Sequence, residues 1–183
     1  MKRYILTGAP GAGKTAILRM LEVEGHAVIE EAATDVHALA EARGVDAPWL
    51  EPGFVDSIVE LQRLRQERAG ALPDRIQIFD RSPICTYALA RFLDFPVSEA
   101  LKRELDRVAA DGIYQRRVFF VESLGFITPT AARRISLEDA LRFGKLHEEA
   151  YRAFGYDCRL IAPGPLADRA AAIRSEVKAL EEG

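Results

Sequence analysis

Short apolar runs alternate along the chain with longer stretches in which apolar and polar residues are mixed. Five of the runs are typical of buried β-strands and lie at residues 4–6, 27–29, 76–79, 118–121 and 158–161. The clearest mixed stretch covers residues 54–68, where helical three- and four-residue spacing relates Phe54, Ile58, Leu61 and Leu64. Because strands and helices alternate, the pattern predicts an α/β fold in three layers, with a five-stranded parallel sheet covered by helices on both faces.

Residues that commonly begin or end helices support this interpretation. Residues 16–22 form the first predicted helix, and Gly25 is placed to end it. Gly70 follows the amphipathic stretch in the same way. Ser136 and Asp139 have the spacing of a capping box, which predicts a helix that begins there and runs towards Phe154.

The segment between the first strand and the first helix matches the phosphate-binding pattern G-x-x-x-x-G-K-[ST] completely. It comprises Gly8, Ala9, Pro10, Gly11, Ala12, Gly13, Lys14 and Thr15. Its glycines let the backbone curl around a phosphate, and the helix that follows directs free N–H groups at the anion. Lys14 can reach the β- and γ-phosphates, and the Thr15 hydroxyl suits Mg²⁺. The chain is therefore expected to bind ATP with Mg²⁺, whereas a chance glycine-rich turn would not need this strand–helix context.

Composition narrows the class of protein further. A chain of 183 residues with 49% hydrophobic and 29% charged residues suits a single domain, here residues 1–183. The net charge of −3 gives no argument for nucleic acid as a partner, and no apolar run approaches the ~18 residues of a membrane span. Strand-like sequence begins within the first few residues, which leaves no room for the apolar region of a secretory signal peptide. The two cysteines, Cys85 and Cys158, are too few for a disulfide framework. We expect a cytoplasmic monomer or homodimer in which both thiols are buried.

The chain contains no asparagine. The N-K-x-D motif with which many GTPases read guanine is therefore absent. So is the catalytic-loop asparagine that protein kinases use to hold their second Mg²⁺. Two large classes of nucleotide-binding protein are excluded.

Ligands of parallel sheets bind at the carboxyl ends of the strands, so the residues after each strand are candidate site residues. Glu30 and Glu31 follow the second strand. Since successive residues of an extended chain point to opposite faces, one of the two carboxylates should face the site, where it can accept a proton from an acceptor hydroxyl. An acidic pair that only opens a helix is the alternative.

Asp80 and Arg81 follow the third strand, which resembles a Walker B strand because it is apolar and ends in a carboxylate. Asp80 is expected to hold Mg²⁺ opposite Thr15, and Arg81 to contact a phosphate or the acceptor. A surface Asp–Arg pair of little energetic value is the alternative.

Residues 123–136, after the fourth strand, have the features of a mobile lid. A loop with glycine and proline leads to Arg133 and Arg134, whose guanidinium groups can stabilise a transferring phosphoryl group. A solvated basic turn explains the same residues equally well.

Residues 162–165, after the fifth strand, form a rigid turn that can border adenine. Four aromatic residues can line an acceptor pocket, or belong to the core, namely Trp49, Phe54, Tyr87 and Phe126.

These motifs in this order resemble a known group of enzymes. The sequence has G-A-P-G-A-G-K-T at its start, E-E-A after the second strand, D-R-S after the third and A-A-R-R before a long helix. The set resembles the P-loop kinases of nucleosides and nucleotides. More narrowly, the chain is similar to small bacterial ATP-binding proteins classed as an AAA domain of the NadR type, whose relative is the ribosylnicotinamide kinase module. The likeness covers nearly the whole chain.

The resemblance implies the strand order 2-3-1-4-5, a helical region that covers the substrate after the second strand, and an arginine-bearing lid after the fourth. It favours Glu31, which directly precedes Ala32, over Glu30 as the base. It carries functional roles over to Lys14, Thr15, Glu31, Asp80, Arg81, Arg133 and Arg134. The glutamine and aromatic residues with which nucleoside kinases read their base are not assigned in this chain, so the acceptor stays open.

Three functions remain in view at this stage. The leading one is Mg²⁺-dependent transfer of the ATP γ-phosphate to a nucleoside, a nucleotide or a vitamin-like alcohol. The second is hydrolysis of a nucleoside triphosphate or an organic triphosphate, with Glu31 orienting water. The third is a nucleotide-gated binding module without fast chemistry. A ring-forming AAA+ motor is not expected, because its acidic pair after the third strand and its separate helical subdomain are missing.

Overall fold

The structure is a computed structural model that describes residues 1–126 and 135–182 of the chain. All five predicted strands form, with their bounds at β1 Lys2–Gly8, β2 Ala27–Ile29, β3 Ile76–Asp80, β4 Arg117–Val121 and β5 Asp157–Ile161. The described residues also form α-helices α1 Lys14–Val23, α2 Ala32–Ala42, α3 Pro52–Ala69, α4 Pro83–Phe92, α5 Glu99–Ala110, α6 Leu137–Ala153 and α7 Leu166–Glu182. A 3₁₀ turn at Pro48–Leu50 lies between α2 and α3.

The five strands form one parallel sheet in the order β2-β3-β1-β4-β5, which confirms the predicted fold class and strand order. β1 lies at the centre and pairs with β3 on one side and β4 on the other. The strand order therefore reverses at β1, with β3 and β2 on one side of it and β4 and β5 on the other. Ligands of such sheets bind outside the carboxyl ends of the strands at this point.

Alternate residues of the strands build two cores, one on each face of the sheet. The first core is covered by α3, α4, α5 and α6 and contains the strand residues Ile5, Ile29, Phe79 and Val118. The second is covered by α1 and α7 and contains the strand residues Tyr4, Leu6, Ile78, Phe119 and Val121. Because both faces are covered, β1 and β4 carry apolar residues in succession rather than in alternation, as at residues 4–6 and 118–121.

Gly8 ends β1 in a conformation that few other residues adopt. Its φ is +136°, and a Cβ built on its backbone would lie 2.2 Å from the carbonyl oxygen of Val121 in the neighbouring strand. A side chain here would collide with backbone. Glycine is required so that the chain can leave the sheet and enter the phosphate-binding loop.

The helix predicted at residues 54–68 forms as α3, but its buried face differs from the predicted one. Leu64 is 39% exposed, whereas Gln62 and Gln66 are buried. The buried residues of α3 are Val55, Ile58, Val59, Gln62, Gln66 and Ala69. The glutamines can be buried because they have partners, such as Arg107, which donates to Gln66 Oε1 at 2.7 Å.

The expectation of two buried thiols is wrong for one of them. Cys85 is buried in α4, but Cys158 is only partly buried. The reason is the place of β5 at the edge of the sheet, where one side of the strand has no neighbouring strand. None of the described helices combines the length and the apolar character needed to cross a bilayer.

Candidate functional site

A cavity of about 650 Å³ opens at the carboxyl ends of β1 and β3. The phosphate-binding loop forms one wall through Pro10, Gly11, Lys14 and Thr15. The other walls come from the start of α2, from α3 and α4, and from α6, which packs across α4. Residues far apart in the sequence thus meet in one space, as the rule for parallel sheets predicts.

Lys14 is nearly inaccessible, with 7% of its surface exposed. Its ammonium group donates to the backbone carbonyls of Gly8 at 3.2 Å and Ala9 at 3.1 Å, so the side chain folds back over its own loop. Burial and the nearby charge of Arg81 lower its pKa to about 8, although Asp80 and Glu31 act in the opposite direction. A bound phosphate would add negative charge beside this buried amine and raise its pKa.

Glu31 lies at the start of α2 and is the only one of the two glutamates that lines the cavity. Its carboxylate accepts a hydrogen bond from Arg81 Nε and another from the Thr34 hydroxyl at 2.8 Å. Glu30 instead pairs with Arg19 at the surface. Glu31 does not cap its helix, since its side chain makes no hydrogen bond to the helix N–H groups. The structure thus shows the alternation expected of the pair.

The charge state of Glu31 follows from its neighbours. Burial by itself would raise the pKa of the carboxyl group, but the charges of Arg81 and Lys14 outweigh it and the pKa is lowered. Glu31 is therefore ionised at neutral pH. Its position is also fixed from behind, because Arg65 of α3 donates to the backbone carbonyls of Glu30 and Glu31 at 3.0 and 2.7 Å.

Arg81 is held in an unusual backbone conformation at the end of β3. Its φ is +71°, which is uncommon for a residue other than glycine and costs on the order of 1 kcal/mol or more. The guanidinium group is 9% exposed and reaches Glu31. Burial acts to lower its pKa, but Glu31 and other neighbours outweigh this effect and raise it. Arg81 is thus a permanent cation aimed at the cavity, and strain of this kind is common at functional sites.

Asp80 is the residue whose environment best fits a ligand of a cation. It is 7% exposed, and its Oδ1 atom is buried without a hydrogen-bond partner among the described residues. Burial raises its pKa to about 6, although Lys14 opposes the shift. A buried carboxylate oxygen without a donor fits a cation, and Mg²⁺ commonly uses one protein carboxylate together with phosphates and water. The hydroxyl of Thr15 lines the same cavity.

No group of three or more histidine, cysteine, aspartate or glutamate side chains within residues 1–126 and 135–182 is arranged to hold a metal ion. A dedicated protein cage is thus absent from this part of the chain. The donor set at Asp80 and Thr15 is of the kind that Mg²⁺ completes with substrate oxygens.

His147 was not predicted from the sequence, and it lies in the site. It is 0% exposed on α6, and both of its ring nitrogens lie close to Arg81 Nη1, at 3.2 and 3.3 Å. Burial and the charges of Arg81 and Lys14 lower its pKa well below the ordinary value, so the ring is neutral. A signal was present, because His147 is the one histidine on the buried face of α6. That face comprises Ala140, Phe143, Gly144, His147, Ala150 and Tyr151.

The part of the cavity away from the phosphate-binding loop is lined mainly by aromatic and aliphatic side chains. They are Trp49, Phe54, Ile58, Leu89, Phe92, Leu93 and Phe143. Trp49 stacks on His37 with the ring planes 6° apart. The Thr86 hydroxyl donates to Gln62 Oε1 at 2.9 Å, and Gln62 lines the cavity too. With its oxygen occupied, the amide of Gln62 is left with N–H donors for a ligand.

Two of the four aromatic candidates do not belong to this compartment. Tyr87 packs edge-to-face on Phe154 at 5.3 Å and does not line the cavity. Phe126 is 60% exposed. Both positions depend on which side of a helix or loop faces the sheet, and single aromatic residues carry no such information in the sequence.

The remaining candidates cannot be placed in the site. Arg133 and Arg134, and most of the predicted lid of residues 123–136, lie outside the described residues. The turn at residues 162–165 is exposed and leads into α7, and its relation to adenine stays a prediction. Ser136 does begin α6, because its hydroxyl accepts a hydrogen bond from the Asp139 amide at 3.0 Å.

A parallel sheet of this strand order, with a phosphate-binding loop between its central strand and α1, is the P-loop fold of the nucleoside-kinase-like type. Residues 3–169 match the family model described as an AAA domain. The chain belongs to this family, which confirms the resemblance found in the sequence. A comparison with curated proteins gave no match.

Solved structures with the same fold include three kinds of protein. NadR protein in complex with NAD and AMP-PNP has a TM-score of 0.68 and 19% identity, over 97% of this chain and 49% of that one. Deoxyadenosine kinase from M. mycoides, with products dCMP and dCDP, has a TM-score of 0.62 and 13% identity, over 97% and 99%. Shikimate kinase from Acinetobacter baumannii, in complex with shikimate, has a TM-score of 0.53 and 14% identity, over 98% and 94%. This chain thus spans about half the length of the NadR chain.

Proposed function

We propose that this protein is an ATP- and Mg²⁺-dependent kinase that transfers the γ-phosphoryl group to a hydroxyl of a small, ring-containing acceptor. One observation carries the proposal. The phosphate-binding loop, the carboxylate of Glu31, the cation of Arg81 and a separate aromatic compartment all line the same cavity. A hydrolase needs room for a water molecule beside the phosphates, whereas a kinase needs a second compartment for its acceptor.

Each charged residue has a role in this reaction. Lys14 and Arg81 stabilise the negative charge that spreads over the phosphoryl oxygens in the transition state. Asp80 and the Thr15 hydroxyl would hold Mg²⁺, which would supply positive charge to neutralise the phosphates. The ionised carboxylate of Glu31 accepts the hydrogen bond of the acceptor hydroxyl and so aims its oxygen at the phosphorus atom.

A nucleoside-like acceptor is the class that the second compartment favours. Its aromatic walls suit a flat ring, and the N–H donors of Gln62 suit a ring that presents a hydrogen-bond acceptor. The similarity to deoxyadenosine kinase and to NadR protein in complex with NR supports the same class of acceptor.

We propose a cytoplasmic location for the protein. The free thiols of Cys85 and Cys158 fit such a location.

The proposal is tested by measuring ATP consumption in the presence of Mg²⁺, alone and with a panel of nucleosides, nucleotides and other cyclic alcohols. The Lys14→Ala variant serves as the blank. Consumption should rise steeply with one acceptor and should be accompanied by a phosphorylated product. Consumption that is lost in the blank but indifferent to every acceptor would contradict the kinase and favour a triphosphate hydrolase.

The role of Glu31 can be tested separately. Glu31→Gln keeps the shape of the side chain but weakens it as an acceptor, and it should lower turnover by about 100-fold or more while ATP affinity stays near that of the wild type. Glu30→Gln, at the exposed neighbouring position, is the matched control and should leave turnover unchanged. Equal turnover of the two variants would remove Glu31 from the mechanism.

A further inference from the structure

Arg169, in the first turn of α7, joins two backbone segments at the edge of the candidate site. It is 4% exposed. Its Nη1 donates to the carbonyl of Ala12 in the phosphate-binding loop at 2.8 Å. Its Nη2 donates to the carbonyl of Glu122, the residue after β4, at 3.0 Å. One side chain thus holds the loop to the end of the neighbouring strand.

The buried environment of the Arg169 guanidinium group is energetically unfavourable. Among the described residues, the guanidinium group of Arg169 forms no salt bridge within 4.0 Å, and its Nε atom is buried without a partner. Burying a charge that is paired only with neutral carbonyls opposes folding. A methionine or leucine would fill the same space without this cost. The hydrogen bonds to these two carbonyl groups are therefore what an arginine provides here and an apolar residue does not.

The bond to Ala12 has a consequence for the phosphate-binding loop. In a trans peptide unit the C=O and the N–H point in opposite directions. Arg169 holds the Ala12 carbonyl from the α7 side, so the N–H of Gly13 in the same peptide unit points away from α7. The neighbouring loop residues Gly11 and Lys14 line the cavity.

Gly13 is packed directly against this contact. Its φ is +88°, and a Cβ at this position would lie 3.1 Å from Arg169 Nη1. The glycine thus allows both the left-handed turn of the loop and the close approach of the guanidinium group. The peptide unit is fixed by its own backbone conformation on one side and by Arg169 on the other.

We propose that Arg169 is a positioning residue for nucleotide binding, which orients the Ala12–Gly13 peptide unit so that its N–H is ready to bind phosphate. Arg169 does not touch the nucleotide in this role and acts through the loop. The inference rests on the proposed binding of ATP but not on the transfer of phosphate. Its expected effect is therefore on ATP affinity rather than on the chemistry at Glu31.

The test compares three variants of the full chain by calorimetric titration with ATP and Mg²⁺. Arg169→Met keeps the bulk of the side chain and removes both donors, and it should weaken ATP binding at least about tenfold. Arg169→Lys keeps the charge but can reach only one of the two carbonyls, and it should lie between Arg169→Met and the wild type. Arg174→Met is the matched control on the same helix, because Arg174 forms a surface ion pair with Glu24. It should bind ATP like the wild type.

Thermal unfolding without nucleotide separates positioning from a general loss of structure. Arg169→Lys should unfold within a few degrees of the wild type and still bind ATP more weakly. If Arg169→Met does not fold, the lysine variant decides the matter alone. ATP affinity equal to that of the wild type in a folded Arg169 variant would overturn the inference and leave the proposed function intact. Absence of ATP binding by the wild type would overturn both.

Discussion

Asp80 should destabilise the nucleotide-free protein, so Asp80→Asn should raise its stability. The side chain is 7% exposed, and one of its oxygens lies buried without a partner. Burial raises the pKa of the carboxyl group from 3.8 to about 6, in spite of the opposing charge of Lys14. Asparagine has nearly the same shape and carries no charge, so it removes the cost of burying the anion without opening a cavity.

The size of the effect follows from the two pKa values. Below about pH 3.8 the carboxyl group is neutral in both the unfolded and the folded chain, and there is no cost. Above that pH the unfolded chain ionises first, and the cost of folding grows by about 1.4 kcal/mol per pH unit until the folded group ionises near pH 6. The expected gain in unfolding free energy is therefore about 3 kcal/mol at pH 8 and about half of that at pH 5.

Urea unfolding of the wild type and of Asp80→Asn, at pH 5 and pH 8 without nucleotide and Mg²⁺, measures this difference. Asp106→Asn, at an exposed position of α5, is the control and should change stability by no more than about 0.5 kcal/mol. Addition of ATP with Mg²⁺ should stabilise the wild type more than Asp80→Asn, because the variant lacks the carboxylate that holds the cation. A variant that is less stable than the wild type at pH 8, or a gain that is equal at both pH values, would refute the reasoning.

Two further predictions concern the phosphate-binding loop. Gly144→Val should weaken ATP binding by about tenfold or more, because even a Cβ at this position of α6 would lie 3.0 Å from Ala9 Cβ and a larger side chain must displace the loop. Calorimetric titration measures the affinity. Binding of ATP with Mg²⁺ at pH 8 should take up a fraction of a proton, because the pKa of Lys14 is about 8 in the free protein and a bound phosphate raises it. Titrations in buffers of different ionisation enthalpy measure the proton uptake.

Each of these two predictions has its own control. Lys145→Val introduces the same β-branched residue at the next, exposed position of α6, and it should bind ATP like the wild type. Equal affinity of the two valine variants would show that α6 does not constrain the loop. In the second experiment, Lys14→Met should abolish the proton uptake, and release of protons by the wild type at pH 8 would contradict the assignment.

Much of the fold could be predicted because its signals are local. A largely apolar run of three or four residues indicates a buried strand wherever it lies, and all five runs form strands. The phosphate-binding loop is recognised from eight consecutive residues, since its strand, turn and helix follow one another directly in the chain. The alternation of Glu30 and Glu31 is local as well. This alternation places only one of the two glutamates in the site. The resemblance to a family identified that one as Glu31.

The acceptor side of the site could not be predicted in the same way. Whether Trp49 or Tyr87 faces the cavity depends on how α2, α3 and α4 are rotated against the sheet. Gln62 could not be assigned a role because its amide is oriented by a hydrogen bond from Thr86, which lies 24 positions along the chain. His147 occupies an apolar helix face, and the sequence does not say that this face meets Arg81.

The sequence by itself therefore determined the class of fold and the chemistry at the ends of the strands, because strand periodicity and the phosphate-binding loop are written in neighbouring residues. Tertiary structure decided which side chains share the cavity. It also decided the charge each one carries, since the burial and neighbours that set the pKa values of Lys14, Glu31 and Asp80 come from distant parts of the chain. The bond from Arg169 to Ala12 spans 157 positions and arises only because α7 packs beside α1.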